Sequence, residues 1–401
     1  MKALVTYPFG LGGVCLTELR QMGFSPVKKG YALVVDSVQW KDVYHINIWS
    51  RIANKVFAVL AEQKIMDFDG LFDLIGSLNW KQYISTGHGV RVLAHSRDSQ
   101  LSSTRTIQSI VHKSILTQLT GSRDVHWKTD ESKSVIEISV DIYKDMATIL
   151  LNTSGASLHE RWYRTEQGEA PLKENIAAWL LMLAGWDTKS PLFDPFCGSG
   201  TICIEAAMLS AGIAPGLGRR FAFEDFGNFD GFVYASLRDE VKSWKLKIKR
   251  VWTFIDPGLS RRSSGTPHPK DTSSLTLRAR NDVLVHGSDI DIDVLAKAKA
   301  NADRAWVGHM IDFQERHFLD MEFRAQSSEL RLENSRVWCV TNPPYGVRLG
   351  EESEELVEDL VQAFTTYRLF GGFLLLRGAK TPWFSPIALL NWQQEVCFYC
   401  K

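Results

Sequence analysis

The spacing of apolar residues predicts two structurally different parts of the chain. In the N-terminal part, short apolar runs predict strands, and runs with a period near 3.6 residues predict helices between them. A polar pair, Lys144-Asp145, predicts a tight hairpin turn near the end of this part. The predicted strands are 2–6, 31–36, 55–61, 90–95, 135–143 and 146–151, and the predicted helices are 13–22, 38–47, 68–77 and 105–118. We therefore expect an α+β region.

Beyond Pro171, strands alternate with helices. A predicted helix at 172–184 precedes strands at 192–194, 283–289, 310–314, 337–341, 372–377 and 394–399. Alternation of this kind predicts a mostly parallel, doubly wound sheet with helices on both faces. One segment, 257–276, is rich in Ser, Pro, Gly and Arg, and predicts an exposed, mobile loop.

Composition and charge narrow the class of protein. The 401 residues are 45% hydrophobic and 23% charged, as in folded proteins of two or three domains. The formal net charge of zero argues against a protein that coats nucleic acid through its overall field. A basic segment at 242–250 still leaves room for a local basic surface, although a solvated helix face explains it equally well.

The location predicted from the sequence is the cytoplasm. No apolar run reaches the roughly 18 to 20 residues of a membrane span, and residues 1–13 lack the pattern of a signal peptide. The six cysteines are scattered in apolar segments, which favours reduced thiols. Cys397 and Cys400 have zinc-like spacing without further ligands nearby, so we expect a terminal strand there and no metal.

A glycine-containing loop follows the predicted strand 192–194. In Asp194-Pro-Phe-Cys-Gly-Ser-Gly-Thr201, Gly198 and Gly200 allow a tight turn and close approach to a ligand, and Thr201 begins a helix. The loop lacks the lysine of a phosphate-binding loop and has a carboxylate at Asp194. It therefore suits a ligand that carries an ammonium group, such as the methionine end of S-adenosylmethionine.

A strand-end carboxylate is the second candidate element. Asp289 falls just beyond an apolar strand, where an acidic side chain can accept the hydroxyls of a ribose. Asp291 competes for this role, although it can instead cap the helix that starts near Val294.

The tetrapeptide Asn342-Pro-Pro-Tyr345 directly follows the predicted strand 337–341. Two prolines fix an extended backbone and remove two N–H donors, leaving a corner rich in acceptors. The Asn342 side-chain oxygen and the Pro343 carbonyl can accept hydrogen bonds from a planar amine, and Tyr345 can stack on a base. Fixed in this way, the amine lone pair points at a methyl donor.

These three motifs together resemble those of class I S-adenosylmethionine-dependent N-methyltransferases, most closely the THUMP-containing guanine-N2 RNA methyltransferases. Segments 153–164, 170–174 and 214–224 also resemble that family, the last being similar to bacterial enzymes that act on large-subunit ribosomal RNA. The resemblance implies a ferredoxin-like domain at 1–65, a THUMP domain at 66–155 and a Rossmann-like methyltransferase domain at 156–401.

The resemblance also implies roles for individual residues. S-adenosylmethionine is the implied cofactor, and RNA is the implied partner, contacted by Arg161 and Arg164; an ion pair at the domain junction is the alternative for these arginines. The catalytic residues are Asn342, Pro343, Pro344 and Tyr345. The implied cofactor-binding residues are Asp194, Phe196, Cys197, Gly198, Gly200, Thr201, Asp289, Ile290, His317 and Asn342.

Three positions depart from the family pattern: His317, Trp162 and Val347. Adenine recognition is accordingly left open between backbone groups, Asp320 and His317. The expected reaction is methylation of guanine N2 in 23S ribosomal RNA. Transfer RNA guanine and a non-catalytic RNA-binding assembly factor are the alternatives, and DNA adenine or a protein glutamine would use the same tetrapeptide.

Overall fold

The structure, a computed structural model, describes only part of the chain. The described residues are 1–122, 127–165, 172–243, 284–320, 337–343, 358–360, 362–363, 370–376, 385–391 and 394–400. The loop predicted at 257–276 lies outside them. The chain forms two compact units, the first of Met1–Arg164, Lys173–Trp179 and Ile213–Ser243, and the second of Thr165–Leu172, Leu180–Gly212 and Trp244–Lys401. The predicted domain boundaries stay a prediction, since these units interleave along the sequence.

A single seven-stranded sheet runs through the first unit in the order β2-β3-β1-β4-β7-β6-β5. Its strands are β1 Lys2–Thr6, β2 Pro26–Lys29, β3 Ala32–Val35, β4 Lys55–Lys64, β5 Gly89–Arg97, β6 Val135–Tyr143 and β7 Met146–Asn152. Strand β4 pairs antiparallel with β1 on one side and with β7 on the other. The predicted ferredoxin-like and THUMP regions therefore share one sheet.

Several of the helices begin or end at residues suited to capping. The helices are α1 Gly12–Gln21, α2 Trp40–Trp49, α3 Phe68–Gly76, α4 Thr104–Thr120, α5 Glu174–Ala184, α6 Thr201–Ser210, α7 Gly231–Ser243 and α8 Ile292–Arg304. The Asp67 carboxylate accepts a hydrogen bond from the Gly70 N–H at the start of α3, and Ser103 caps α4. Gly121 ends α4 in the left-handed conformation. No helix in the described part of the chain is long and apolar enough to cross a membrane.

The predicted hairpin is confirmed. Strands β6 and β7 pair antiparallel from Tyr143↔Met146 onward, and Lys144 and Asp145 both adopt positive φ, at 50° and 60°. Positive φ at both central residues is the geometry of a tight two-residue hairpin turn.

The second unit contains a seven-stranded sheet in the order β10-β9-β8-β11-β12-β14-β13. Its strands are β8 Leu192–Asp194, β9 Val285–Asp289, β10 Ile311–Glu315, β11 Trp338–Thr341, β12 Phe370–Leu376, β13 Ser385–Asn391 and β14 Gln394–Cys400. The strands from β10 to β12 pair in parallel, whereas β14 pairs antiparallel with both β12 and β13. The predicted mostly parallel, doubly wound sheet is confirmed.

Two strands were not predicted, and both lie at a sheet edge. Strand β2 is four residues long and carries exposed Lys28 and Lys29, and β13 contains Pro386. Edge strands tolerate charged residues and proline, so they lack the apolar pattern that identifies central strands.

The strand order determines where a ligand site can form. Strand β8 is central, with β9 on one side and β11 on the other, so the direction of winding reverses between β8 and β11. Loops that leave the carboxyl ends of strands beside such a reversal form the binding crevice of doubly wound sheets. The two motifs predicted to bind the cofactor and the amine follow β8 and β11.

Candidate functional site

The glycine-containing loop connects β8 to α6 and turns back on itself. Gly198 and Gly200 adopt the left-handed conformation, with φ of 52° and 82°. The Cys197 N–H donates a hydrogen bond to the Ser288 carbonyl at 2.9 Å, and the Gly200 N–H donates to the Cys197 carbonyl at 2.8 Å. These bonds fix the loop against the end of β9.

The two glycines meet different requirements. A Cβ added at Gly200 would lie 3.1 Å from the Ala298 Cβ and 3.1 Å from the Phe313 Cζ, so these neighbours would have to shift to make room for a side chain. A Cβ added at Gly198 would have none of the described atoms within 4 Å, apart from its chain neighbours. Gly198 therefore leaves open space at the turn, into which a ligand can approach the backbone.

Asp289 is joined directly to this loop. Its Oδ2 accepts a hydrogen bond from the Gly198 N–H at 3.0 Å, and its Oδ1 accepts one from the Asp291 N–H at 3.1 Å. Asp291 instead caps α8, because its carboxylate accepts from the N–H groups of Asp293 and Val294. An ionised carboxylate has about four acceptor positions, so Asp289 retains capacity for ribose hydroxyls.

Asp194 is a buried carboxyl group at the end of β8. Only 1% of its surface is exposed, and its Oδ1 accepts a 2.6 Å hydrogen bond from the Thr341 hydroxyl. The pKa of Asp194 is raised to about 7, mainly by burial and further by the Asp289 carboxylate, against the lowering by the Thr341 hydroxyl and the Phe196 N–H. A buried carboxyl of this kind gains from a cationic partner such as an ammonium group.

Asn342 leaves β11 at the same edge of the sheet. Strands β8 and β11 are parallel neighbours with Cys339 opposite Phe193, so their carboxyl ends lie side by side. The Asn342 Oδ1 is buried and has no hydrogen-bond partner in the described part of the chain. Pro343 is buried, and Pro344 and Tyr345 lie outside the described residues.

The segment after β10 lies beside Asp289. The Arg316 N–H donates a hydrogen bond to the Asp289 carbonyl at 3.1 Å, and Phe318 packs on Phe196 with ring centroids 5.3 Å apart. The His317 carbonyl accepts from the Asp320 N–H at 3.1 Å. The choice among backbone, His317 and Asp320 for adenine stays a prediction.

Three other predicted cofactor residues differ in how exposed they are. Cys197 and Thr201 are buried within the loop and the first turn of α6, whereas Ile290 is 67% exposed beyond Asp289. Sequence reasoning missed Thr341 and Phe318. Thr341 could have been found as a polar residue at the end of an apolar strand, whereas Phe318 carried no such signal.

Arg161 and Arg164 are buried in the first unit. The Arg161 guanidinium donates to the carbonyls of Leu158 and Arg51, and the Arg164 Nε lies 3.0 Å from a carboxylate oxygen of Glu174. The Arg164 side chain is only 5% exposed. Contact with RNA phosphates requires exposed guanidinium groups. The Arg164–Glu174 contact agrees with the ion-pair alternative, and a role of either arginine in RNA binding stays a prediction.

The segment 214–224 is also packed within the first unit. The Arg219 guanidinium donates to main-chain carbonyls of residues 154, 156, 157 and 160, and burial lowers the pKa of Arg219 to about 10. Phe221 and Phe223 are fully buried, and Phe223 packs on Tyr44 with centroids 4.4 Å apart. This segment stabilises the first unit through these contacts.

The side chains of the site fit S-adenosylmethionine. The cofactor carries an ammonium group and a ribose, and the site offers the buried Asp194 carboxyl and the Asp289 carboxylate on either side of an open glycine turn. Neither carboxylate has a lysine beside it in the loop sequence, which disfavours a pyrophosphate.

Three comparisons bear on the identity of the chain. Over 378 residues it is 30% identical to "Putative RNA methyltransferase YpsC" of Bacillus subtilis, covering 93% of this chain and 86% of that protein. It is 32% identical to ribosomal RNA large subunit methyltransferase K/L of a Shewanella species, covering 84% of this chain but only 42% of that longer protein. A solved structure described as "SMU.472, a putative methyltransferase complexed with SAH" matches with a TM-score of 0.77 at 25% identity, covering 99% of this chain and 97% of the other.

The fold and the site define a Rossmann-like methyltransferase that uses S-adenosylmethionine. Residues 2–57 match the RlmL ferredoxin-like domain, 66–152 match the THUMP domain and 161–368 match the RMKL-like methyltransferase domain. The chain belongs to this family of THUMP-containing, RlmL-like methyltransferases.

Proposed function

We propose that this chain methylates the exocyclic N2 amine of a guanine in RNA, with 23S ribosomal RNA as its substrate. The observation that carries the proposal is the buried Asn342 Oδ1, which has no hydrogen-bond partner in the described part of the chain. A buried acceptor without a donor costs about 1–3 kcal/mol. A substrate N–H supplies that donor.

The geometry of the acceptor suits an amine of low nucleophilicity. The lone pair of an exocyclic amine is delocalised into the π system of the base, and a fixed acceptor at Asn342 orients the amine so that the lone pair localises on the nitrogen and points at the methyl donor. S-adenosylmethionine, when bound, supplies an electrophilic methyl group on its sulfonium. Transfer of that methyl group to the amine nitrogen would leave S-adenosylhomocysteine as the sulfide product, and the amine proton would pass to solvent, because the Asn342 amide is not a base.

Other residues of the site are assigned to binding the cofactor and the base. We assign the cofactor ammonium to Asp194 and the ribose hydroxyls to Asp289, on the basis of their burial and their hydrogen bonds to Thr341 and Gly198. The Pro343 carbonyl is the proposed second acceptor for the amine, and Tyr345 is proposed to stack on the base. Reaching this site requires the base to leave its stack.

The RNA substrate is supported by the first unit and by the relatives. Residues 66–152 match the THUMP domain, and the two curated relatives carry RNA in their names. The amine acceptor alone does not separate guanine from adenine or glutamine. The guanine part of the proposal rests on the resemblance of segment 214–224 to bacterial guanine-N2 enzymes.

A cytoplasmic location belongs to the same proposal. The four cysteines Cys15, Cys197, Cys203 and Cys339 are buried free thiols, as expected in a reducing compartment.

The substrate is tested by methyl transfer from radiolabelled S-adenosylmethionine to unmodified 23S ribosomal RNA, transfer RNA and DNA, followed by nucleoside analysis. We expect N2-methylguanosine in the ribosomal RNA. Label in transfer RNA alone moves the substrate to that RNA, and label only in DNA or protein overturns the RNA assignment. Binding of S-adenosylhomocysteine without transfer to any polymer favours a non-catalytic assembly factor.

The role of Asn342 is tested by Asn342→Ala, with Asn79→Ala as a matched control at an exposed position of the first unit. We expect the methyl-transfer rate of Asn342→Ala to fall by about 100-fold, the usual effect of removing one transition-state hydrogen bond. Because Asn342 is also among the predicted cofactor-binding residues, the affinity for S-adenosylhomocysteine can fall too, but by much less than the rate. A wild-type rate in Asn342→Ala contradicts the proposal.

A further inference from the structure

The cofactor loop and the amine-acceptor motif are joined by one hydrogen bond. The Thr341 Oγ1 donates to the Asp194 Oδ1 at 2.6 Å, and the two residues are 0% and 1% exposed. Thr341 immediately precedes Asn342, and Asp194 is the first residue of the glycine loop. The two motifs are 147 positions apart in the sequence and are brought together by the parallel pairing of β8 with β11.

The protonation of Asp194 depends on its neighbours. The pKa of Asp194 is raised to about 7 overall, because burial and, to a smaller extent, the Asp289 carboxylate outweigh the lowering by the hydrogen bonds from Thr341 and from the Phe196 N–H. Asp194 also raises the pKa of three buried cysteine thiols through its charge: Cys197 in the loop, Cys203 in α6 and Cys339 in β11. The Thr341 hydroxyl is therefore one of two hydrogen-bond donors that favour the charged carboxylate.

We infer that Thr341 is a positioning residue whose hydrogen bond orients the Asp194 carboxyl toward the ammonium group of S-adenosylmethionine, and that it holds Asn342 in register with the bound cofactor. The inference rests on the proposed role of Asp194 in binding that ammonium group. Thr341 touches neither the methyl group nor the substrate amine in this assignment. It acts through the two residues that do the binding.

A pH dependence follows from the sign of these effects. Only the carboxylate form of Asp194 attracts an ammonium group, so cofactor affinity falls as the pH drops through the pKa of Asp194. Replacing Thr341 with valine removes a hydrogen bond that favours the carboxylate, which raises that pKa further. The affinity of Thr341→Val is therefore lost at a higher pH than that of the wild type.

The test is calorimetric binding of S-adenosylhomocysteine to the full chain between pH 6 and pH 8.5. This ligand carries the same amino-acid end as the cofactor and needs no turnover. Ionisation of the ligand affects every variant alike. The ratio of variant to wild-type Kd therefore reports only the contribution of the protein's own groups to the pH dependence. We expect Thr341→Val to bind about tenfold more weakly at pH 6, the size expected for one hydrogen bond to a charged group, and to approach the wild type at pH 8.5.

Two controls separate this effect from a packing defect. Thr341→Ser retains the hydroxyl and should restore wild-type binding across the range, and Thr148→Val makes the same replacement on β7 of the first unit and should leave binding unchanged. The inference is overturned if the ratio of the Thr341→Val Kd to the wild-type Kd stays at one across the pH range. It is also overturned if Thr341→Val loses affinity by the same factor at every pH.

A third variant distinguishes failure of the inference from failure of the proposed function. Asp194→Asn should weaken S-adenosylhomocysteine binding at every pH and abolish its dependence on the Thr341 hydroxyl. If Asp194→Asn weakens binding but Thr341→Val does not, Thr341 has no positioning role and the inference is overturned while Asp194 keeps its role. If Asp194→Asn binds as the wild type does, the proposed cofactor role of Asp194 fails, and the inference fails with it.

Discussion

The Gly198 N–H donates a hydrogen bond to the Asp289 Oδ2 at 3.0 Å, although the two residues are 91 positions apart. This bond joins the glycine turn after β8 to the carboxylate at the end of β9. One oxygen of the Asp289 carboxylate thereby accepts a hydrogen bond from the loop, and the carboxylate keeps further acceptor positions for a ligand. The open turn and the strand-end carboxylate are therefore adjacent, as a shared ligand site requires.

Replacing Asp289 with alanine should weaken S-adenosylhomocysteine binding by at least about tenfold, because a hydrogen bond to a charged group contributes about 1.5–3 kcal/mol. Isothermal titration calorimetry measures the change. Asp293→Asn is the matched control, since Asp293 is exposed in the first turn of α8 and is not on the loop. Wild-type affinity in Asp289→Ala would rule out the assigned ribose contact.

Alanine at Gly200 should destabilise the protein more than alanine at Gly198. Both residues have positive φ, which costs an alanine about 1–2 kcal/mol. The Gly200 Cβ would in addition meet the Ala298 Cβ and the Phe313 Cζ at 3.1 Å, and overpacking adds about 1–3 kcal/mol.

Thermal denaturation of the two variants measures this difference directly. The Gly200→Ala midpoint should be the lower of the two. Equal midpoints would show that α8 and β10 accommodate the added methyl group of Gly200→Ala without loss of stability.

Asp194→Asn should stabilise the protein without its cofactor at pH 8 while weakening cofactor binding. The folded-state pKa of Asp194 is about 7, above the 3.8 of an unperturbed Asp side chain, so the folded state binds the extra proton. The associated stability is fully present below pH 3.8 and is lost as the pH rises toward and through 7. Ionised Asp194 therefore costs stability on the order of 2–4 kcal/mol at pH 8.

This prediction is checked by melting temperatures of the wild type and Asp194→Asn at pH 5 and pH 8 without ligand. The variant should gain stability relative to the wild type between those values. A difference that is the same at both pH values would mean that Asp194 does not titrate between them.

The buried pair of Arg164 and Glu174 should stabilise the fold rather than bind RNA. Removing one member leaves the other charge buried and costs about 3–5 kcal/mol. Burial raises the pKa of Glu174, but the hydrogen bond from His159 and the charge of Arg164 outweigh it, so the pKa of Glu174 is lowered overall. The stability from this lowered pKa is present above the ordinary pKa of Glu and is lost as the pH falls through the folded-state value.

A double-mutant cycle with Arg164→Met and Glu174→Gln measures the coupling. We expect both single variants to melt at lower temperature and the double variant to recover part of the loss. RNA affinity, measured on the folded variants at several salt concentrations, should keep its salt dependence. If Arg164→Met reduces the slope of log affinity against log salt concentration by about one, Arg164 instead contacts a phosphate.

The sequence by itself determined the class of the second sheet and the two motifs of the site. Alternation of apolar strands with helices reports which residues are buried, and burial in a parallel sheet follows from local pattern. The ends of β8 and β11 were predicted at Asp194 and Thr341, where they are observed. Glycine and proline reveal special backbone conformations from single positions, so the loop and the tetrapeptide were visible without a fold.

Only the tertiary structure decided which polar groups meet. It assigned Asp291 to the cap of α8 and Asp289 to the loop, and it joined Thr341 to Asp194. It also buried Arg161 and Arg164, which the sequence had left between RNA contact and an ion pair. These outcomes depend on pairing between strands that are distant in the sequence and on the exclusion of water. The spacing of neighbouring residues predicts neither of them.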